Sequence, residues 1–421
     1  MNKNRIVAGI ELGSSKVATV ISQVNFDPVT FEKSINIVGV ASSESKGIKK
    51  GQVVNIEQAI ESTITSVEAA ERMAGYHLDS AIVSISDAYV HSQNSHGVVA
   101  VSDPNGEISQ NDVDRVIEAA AAINIPQSRE VIHVIPREFI VDGEVGVEKA
   151  VGMSGVRLEV DTHMITAAVP VLKSIRKVIN DVGIDIDELV FGGLAAAESS
   201  VTKTEKEIGC VLIDIGGGTT KFVVYNSGSP TYSGVVPIGG ENITRDLVSG
   251  LRVSLENAER VKIALSEDAK KNEKDKEDNL DLTDLGISEI KNVSKKTLIE
   301  GIIRPRLNEI FTIVKLELEK TELLNTLPSG VIITGGGAET VGITDSARRM
   351  MMMPVRIGKP KDIKGLIDDI VNPAFSVPVG LIMYSANGEP KENLNSFARK
   401  FKLPSVGIAG KVIDTIKNLL P

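Results

Sequence analysis

The chain has 421 residues, of which 42% are hydrophobic and 24% are charged, and its formal net charge at pH 7 is −10. This length predicts two to four domains of a soluble globular protein. The acidic balance argues against a general nucleic-acid surface. The one cysteine, Cys210, excludes a disulfide framework and is expected in the core.

The N-terminal stretch MNKNRIVAGIEL lacks the apolar run and cleavage site of a signal peptide. No stretch of the sequence has the length and apolar character of a membrane span. We therefore expect a cytosolic protein.

The first predicted element is a β-hairpin with a turn of small residues. In AGIELGSSKVATVI, from residue 8, an apolar strand reaches Glu11 and a β-branched strand follows Lys16. Small side chains would let backbone N–H groups approach a phosphate, namely those of Gly13, Ser14 and Ser15. Lys16 would add a positive charge, or would be a solvated lysine at the strand edge. Alone, the stretch does not separate a phosphate site from an ordinary hairpin.

Helices and strands alternate after this hairpin. Helical spacing and start signals predict helices at 55–75, 108–123 and 171–183, the last ending at a glycine. Strands are predicted at 79–86, 129–143 and 161–170, with Pro136 at an edge or bulge.

The stretch LIDIGGGTTKFVVY, from residue 212, repeats the order of the first hairpin. Asp214 takes the place of Glu11, and its turn carries Gly216, Gly217, Gly218, Thr219 and Thr220. Two similar halves facing each other across a cleft would present both turns to one ligand. The hydroxyls of Ser14, Thr219 and Thr220 would add hydrogen bonds to it. Glu11 and Asp214 would hold Mg²⁺, mainly through water, because that ion dehydrates reluctantly.

The last third of the chain begins with a predicted helix at 254–265 and a solvated, charged segment at 266–282 that we expect to be disordered. A long amphipathic helix follows at 294–324, broken or kinked near Pro305. A third glycine turn, in GVIITGGGAETVG at 330–342, lies between a strand and a helix. That arrangement is typical of nucleotide contacts, although one such run is also an ordinary turn.

The C-terminal segment predicts an amphipathic helix at 406–421 after a linker at 387–405. Its apolar residues share one face of the helix: Ile408, Ala409, Val412, Ile413, Ile416, Leu419 and Leu420. The helix is too short to cross a bilayer and suits the headgroup region, where nearby lysines and arginines assist. The alternative is a terminal helix docked on the core of the protein.

Together, the two hairpins, the third glycine turn and the helix AERVK resemble the phosphate and adenosine motifs of the actin, Hsp70 and sugar-kinase superfamily. Within it the chain is most similar to the FtsA family of bacterial cell-division actin homologues. The similarity extends over nearly the whole chain, through KGIKKGQVVNIEQ, HVIPREFIVDG, VGMSGVRLEVDTHMIT, PIGGENITRDL and VRIGKP.

This resemblance implies an α/β, actin-like ATPase fold with two RNase H-like lobes around a nucleotide cleft. It also implies an inserted α/β subdomain in the first lobe and a C-terminal amphipathic helix. The first lobe would comprise 1–83, 165–204 and 371–386, with the inserted subdomain at 84–164. The second lobe would comprise one subdomain at 205–250 and 330–370 and another at 251–329.

The resemblance also assigns further residues to an ATP site. Glu259 and Lys262 would contact the ribose or the adenine, although they also fit an ordinary surface pair on a helix. Gly239 and Gly240 join the nucleotide-binding set. The nucleoside would pack against the third turn, at Gly335, Gly336, Gly337 and Ala338.

One departure from the superfamily pattern concerns hydrolysis. Where its active ATPases carry a catalytic Glu or Gln, this chain has Gly192 and Gly193, and Glu198 further along is no clear substitute. Without a side chain to orient the attacking water, hydrolysis is expected to be weak or absent. No catalytic residue is assigned, and ATP would act as a conformational and assembly ligand.

By resemblance, the protein is an ATP-binding adaptor that polymerises with itself into actin-like protofilaments on the inner face of the plasma membrane at the division site. It would anchor FtsZ filaments at the septal ring and recruit later division proteins through 84–164. The FtsZ C-terminal peptide would meet Arg304, Arg306 and Glu309, which are otherwise exposed helix charges. The alternatives are an actin-like adaptor of pilus assembly and a kinase of the same superfamily.

Overall fold

The computed structural model describes residues 5–26, 33–270, 278–287, 292–366 and 370–387. Two large sheets and one inserted sheet contain most of the strands. The strands are β1 (Arg5–Leu12), β2 (Lys16–Phe26), β3 (Lys33–Glu44), β4 (Ile48–Lys49), β5 (Gln52–Val53), β6 (Ser80–Ile85), β7 (His91–Ala100), β8 (Arg129–Val141), β9 (Glu144–Val147), β10 (Arg157–Ala168), β11 (Asp185–Phe191), β12 (Cys210–Ile215), β13 (Thr220–Asn226), β14 (Ser229–Val236), β15 (Asn279–Asp281), β16 (Asn292–Ser294), β17 (Val331–Thr334), β18 (Val355–Ile357) and β19 (Lys364–Gly365).

The helices lie between and around these sheets. They are α1 (Ile56–Ala74), α2 (Gln110–Ala121), α3 (Val169–Val182), α4 (Gly192–Ser200), α5 (Lys203–Ile208), α6 (Gly240–Leu251), α7 (Leu255–Lys270), α8 (Lys295–Leu298), α9 (Arg304–Glu319), α10 (Ile343–Met351) and α11 (Ser376–Asn387).

The two large sheets share one topology. The first has the order β11-β6-β1-β2-β3-β19 and the second has the order β14-β13-β12-β17-β18. In each, three consecutive strands form an antiparallel meander, and two parallel strands continue the sheet beside the first strand of the meander. Both sequence-predicted hairpins are therefore confirmed, and each opens the sheet of one lobe.

The inserted sheet has the order β7-β10-β8-β9 and packs against α2. Its own small core includes Val116, Leu158 and Val160, which are fully buried. The strand ladder of β8 and β10 shifts register beside Pro136, which confirms the predicted bulge. Side-chain hydrogen bonds join the insert to β14, where Asn94 donates to the carbonyl oxygen of Thr231 at 3.1 Å.

Local capping explains where several helices begin and end. The side chain of Asn55 accepts a hydrogen bond from the N–H of Gln58 at the start of α1. Ser109 and Asp112 form a reciprocal capping box at the start of α2. The predicted helices at 55–75, 108–123 and 171–183 are confirmed within two residues at each end.

Two expectations in the second lobe need refinement. The charged segment at 266–282 is not irregular throughout, because α7 continues to Lys270 and 279–281 form β15. Ser266 favours this extension, since its hydroxyl accepts a hydrogen bond from the N–H of Val341 at 3.1 Å. The predicted break near Pro305 in the long helix is confirmed, because a π-helical turn at 299–303 separates α8 from α9. The predicted end at 324 is wrong, since α9 ends at Glu319.

Candidate functional site

The two hairpin turns come together at their tips. A methyl group added at Gly217 would lie 2.8 Å from Cβ of Ser15, and one added at Gly218 would lie 2.7 Å from Oγ of Ser14. Each turn is closed by an equivalent hydrogen bond: the N–H of Gly13 donates to the carbonyl oxygen of Lys16 at 3.1 Å, and the N–H of Gly216 to that of Thr219 at 2.9 Å. Only very small residues fit this approach.

Neighbouring segments of the first lobe hold the first turn. Oγ of Ser14 accepts a hydrogen bond from the N–H of Gly51 at 3.1 Å. Nζ of Lys16 donates to the carbonyl oxygen of Ala374 at 2.6 Å and lies 3.7 Å from the centroid of the Phe375 ring. Burial lowers the pKa of Lys16. These contacts do not fit the alternative of a solvated lysine.

The start of α6 holds the second turn. The N–H of Gly240 donates to the carbonyl oxygen of Gly216 at 2.8 Å, and the N–H of Glu241 to that of Gly217 at 2.9 Å. A side chain at Gly239 would place its Cβ 2.5 Å from both carbonyl oxygens. Gly239 and Gly240 therefore support the second turn from behind, because the N–H of Gly240 donates to Gly216 and the N–H of Gly239 donates to Oδ1 of Asn242.

The turn hydroxyls differ in their surroundings. Oγ1 of Thr220 donates to the carbonyl oxygen of Ile238 at 2.8 Å, within its own lobe. Thr219 is buried at the end of the turn. Ser15 is exposed at the tip of the first turn. Of the predicted hydroxyl contacts, that of Thr220 is already used to secure the hairpin.

Both acids are buried beside lysines. Nζ of Lys221 lies 2.7 Å from Oδ2 of Asp214, and both side chains are almost fully buried. Glu11 lies within the electrostatic reach of Asp214, Lys16 and Lys221. Burial raises the pKa of Glu11, against the opposing effect of the two lysines. Sequence reasoning assigned no role to Lys221.

Each acid has a buried carboxylate oxygen that could face a cation. Oε2 of Glu11 and Oδ2 of Asp214 both lack a hydrogen-bond partner among the described residues. Oδ2 of Asp214 nevertheless lies 2.7 Å from Nζ of Lys221, so this acid already has an ion-pair partner. Within the described ranges, no three His, Cys, Asp or Glu side chains gather as a metal cluster.

The third glycine turn packs directly on the second hairpin. Gly335 has a φ of +83°, and a Cβ there would lie 2.2 Å from Oδ1 of Asp214. A Cβ at Gly337 would lie 2.4 Å from Cγ2 of Ile215. Gly336 is more open, with Ala374 as its nearest neighbour, and Ala338 is buried. The structure thus brings the acid of the second hairpin and the predicted nucleoside turn together.

Glu259 and Lys262 form a polar cluster at the start of α6. Nζ of Lys262 lies 2.7 Å from Oε2 of Glu259 and donates to Oγ1 of Thr244 at 2.8 Å. The side chain of Lys262 is only 13% exposed, and it also reaches the carbonyl oxygen of Gly240 at 3.4 Å. The cluster lies next to the second turn, and Glu259 and Lys262 also form an i,i+3 pair on α7 with Glu259 44% exposed.

The position expected for a catalytic acid contains no side chain. Gly192 and Gly193 open α4 and are buried. A Cβ at Gly192 would lie 2.6 Å from Oγ of Ser86 and 3.4 Å from Cδ of Lys221. Glu198, on the same helix, pairs with Lys206 at 2.6 Å. The aliphatic part of the Lys221 side chain therefore lies beside the space that a side chain at position 192 would occupy.

The predicted partner residues on α9 are engaged with neighbouring acids. Arg306 makes a bidentate contact with Asp246 of α6, at 2.6 and 2.8 Å, and also contacts Glu309. Arg304 pairs with Glu300 at 2.9 Å and is mostly buried. An acidic peptide at this face would have to exchange with these carboxylates.

Residues 388–421 lie outside the described residues, and with them lie nearly all of the predicted linker and the predicted membrane-binding residues Ile408, Val412, Ile413, Ile416, Leu419 and Leu420. Among the helices that are described, none combines the length and the apolar character needed to span a bilayer.

Two family models match the chain. Residues 88–166 match the SHS2 domain inserted in FtsA, and residues 211–380 match the cell division protein FtsA. The FtsA of Borreliella burgdorferi is 38% identical over 402 residues, which cover 96% of each chain.

Solved structures with the same fold are more distant in sequence. The PilM–PilN type IV pilus biogenesis complex matches with a TM-score of 0.63 at 16% identity, over 91% of this chain and 99% of that chain. MreB5 of Spiroplasma citri bound to AMPPNP matches with a TM-score of 0.50 at 13% identity, over 90% of this chain and 96% of that chain. Together with the two large sheets of like topology, these likenesses show an α/β, actin-like fold.

Proposed function

The chain belongs to the FtsA family of cell division proteins, and from this premise we propose that it is an ATP-binding adaptor of the division machinery. The family assignment gives it an actin-like role in cell division. We add three claims to this assignment: the chain binds ATP, it attaches to the membrane, and it binds particular division proteins.

One observation carries the nucleotide proposal: two turns of related design meet tip to tip. Around a bound ATP, the β- and γ-phosphates would be surrounded by the backbone N–H groups at the tips of the turns, those of Ser14, Ser15, Gly217, Gly218 and Thr219. The N–H groups of Gly13 and Gly216, which were also predicted as donors, instead close the turns. The cluster of Glu259 and Lys262 would contact the ribose or adenine, and the third glycine turn would pack against the nucleoside. Bound Mg²⁺ would neutralise phosphate charge, with its water shell held at Glu11.

We propose that hydrolysis is weak. Gly192 and Gly193 offer no group to orient or deprotonate a water, and the carboxylate of Glu198 is paired with Lys206. ATP would therefore act as a ligand that favours one conformation and assembly into protofilaments. Steady-state hydrolysis measurements with the purified full chain would contradict this if each molecule cleaved ATP many times per second.

Calorimetric titration of the full chain with ATP and Mg²⁺ tests the nucleotide site. Gly217→Val places a branched side chain against Ser15 and is expected to weaken binding by about tenfold or more. Gly301→Val is the matched control, because no atom lies within 4 Å of a Cβ added there. A wild-type chain that binds no ATP, or equal affinity in both variants, would refute the proposed site.

The adaptor proposal adds two attachments. The predicted helix at 406–421 would bind the headgroup region of the inner face of the plasma membrane, and polymerisation would strengthen this through multivalency. Arg304, Arg306 and Glu309 would receive the FtsZ C-terminal peptide, and the insert at 84–164 would recruit later division proteins. We also propose the subdomain boundaries given above. The insert at 84–164 interrupts the first lobe, and residues 251–329 form a separate subdomain of the second lobe.

Co-sedimentation separates these two attachments. Removal of the last sixteen residues is expected to abolish pelleting with anionic liposomes and to preserve binding of the FtsZ peptide. Arg306→Glu should preserve pelleting with liposomes and abolish binding of the FtsZ peptide, since it reverses the charge that would meet an acidic peptide. Unchanged pelleting of the truncated chain would remove the membrane claim, and unchanged peptide binding by Arg306→Glu would remove the assigned peptide surface.

A further inference from the structure

The two hairpins differ at the residue opposite the acid. Glu11 pairs across the strands with Ala18, and Asp214 pairs with Lys221. Opposed residues in adjacent antiparallel strands have their side chains close together on one face. The second hairpin thus carries a lysine at the position where the first carries a buried alanine.

Lys221 lies at the junction of the two lobes. Its strand, β13, belongs to the second lobe, and its Nζ lies 2.7 Å from Oδ2 of Asp214 and 3.4 Å from Oγ of Ser86 in the first lobe. Nζ is also 3.9 Å from the place of a Cβ on Gly216, the first glycine of the second phosphate turn. The ammonium group is therefore beside the turn that we assign to the phosphates.

The ammonium group lies between two acids. It is 2.7 Å from Oδ2 of Asp214, and Glu11 is within electrostatic reach of it. The side chain is 3% exposed, so little water screens this charge. Glu11, Asp214, Lys16 and Lys221 together place two negative and two positive groups around one site.

We propose that Lys221 is a built-in cation of the nucleotide site and lets this chain bind ATP with little dependence on Mg²⁺. This inference rests on the proposed ATP site. The lysine neutralises the acid that would otherwise order the water shell of a metal ion, and it remains within reach of phosphate oxygens at the second turn. A residue that only stabilised the fold would not alter the metal dependence of binding.

The test compares the affinity for ATP in excess EDTA with that in Mg²⁺, using calorimetry on the full chain. For the wild type we expect the two dissociation constants to agree within about fivefold. Lys221→Met is expected to weaken binding in EDTA by about 10- to 100-fold, the value of a charge-assisted contact, with Mg²⁺ restoring most of the loss. Lys221→Arg, which keeps the charge, should retain binding in EDTA.

Two further variants keep the test decisive. If Lys221→Met does not fold, Lys221→Met combined with Asp214→Asn removes both charges, and it should also lose binding in EDTA. The matched control combines Lys295→Met with Asp268→Asn, another Lys–Asp pair at 2.9 Å in the same lobe, and should behave as the wild type.

The outcomes separate the inference from the function on which it rests. If the wild type binds ATP with Mg²⁺ and loses it in EDTA, or if Lys221→Met, alone or with Asp214→Asn, binds in EDTA as the wild type does, the role of Lys221 is refuted and the ATP site stands. If the wild type binds ATP under neither condition, the ATP site itself fails and this inference fails with it.

Discussion

The two glycine hairpins have the same backbone design and different electrostatics. Equivalent hydrogen bonds close both turns, and an acid precedes each of them. Oε2 of Glu11 and Oδ2 of Asp214 both lack a hydrogen bond among the described residues, but Asp214 forms an ion pair with Lys221 at 2.7 Å, whereas the residue opposite Glu11 is Ala18. The repeated motif thus specifies the backbone conformation of both hairpins. The residue opposite each acid on the neighbouring strand, Ala18 or Lys221, determines whether the acid has an ion-pair partner within its own hairpin.

The largest expected effect comes from isosteric removal of each acid's charge. Asp214→Asn leaves the buried Lys221 without its nearest counter-charge and is expected to lower the free energy of unfolding by about 3–5 kcal/mol. Glu11→Gln removes a buried carboxyl group whose cross-strand neighbour is Ala18 rather than a lysine, so its effect is expected to stay within about 1 kcal/mol. Urea denaturation without nucleotide measures both. Equal losses would erase the contrast between the hairpins.

An intermediate effect is expected at the third glycine turn, which packs on the second hairpin. Gly335→Ala combines a left-handed backbone with a close approach to Asp214 and should cost about 2–3 kcal/mol of unfolding free energy. Gly336→Ala is the control, because its nearest neighbour is Ala374 at 3.9 Å. Thermal unfolding of the two variants measures this difference. A tolerated Gly335→Ala would mean that this contact does not constrain the hairpin.

The smallest effect concerns the first turn. Ser14→Ala removes the acceptor for the N–H of Gly51 and is expected to cost about 1 kcal/mol of unfolding free energy. Ser15→Ala should be nearly neutral, since Ser15 is exposed at the tip. Chemical denaturation of both variants without nucleotide would sharpen the comparison. A larger loss from Ser15→Ala would reverse the roles assigned to the two serines.

The elements that sequence reasoning recovered have strong local signals. Both hairpins follow from β-branched strands around small turn residues, and α1 and α2 follow from their capping residues at Asn55 and Ser109. Cys210 is buried, as expected for a core residue. Local composition and spacing were sufficient for these features.

The features that sequence reasoning missed depend on distant contacts. The extension of α7 to Lys270 uses a hydrogen bond from Val341, which is 75 residues further along the chain. Lys221 resembled any polar residue entering a strand, and only the register of β12 and β13 places it opposite Asp214. Comparing the cross-strand partners of the two hairpins was the signal that could have identified it.

The attachment of α6 at its start and at its middle has a mechanical consequence. Its first N–H groups donate to the second glycine turn, and Asp246, at the middle of the same helix, forms a bidentate contact with Arg306 on α9. A helix of 12 residues is a stiff rod of about 18 Å. A displacement of the turn would therefore move α6 as a rigid body. This movement would change the position of Asp246 relative to Arg306 on α9.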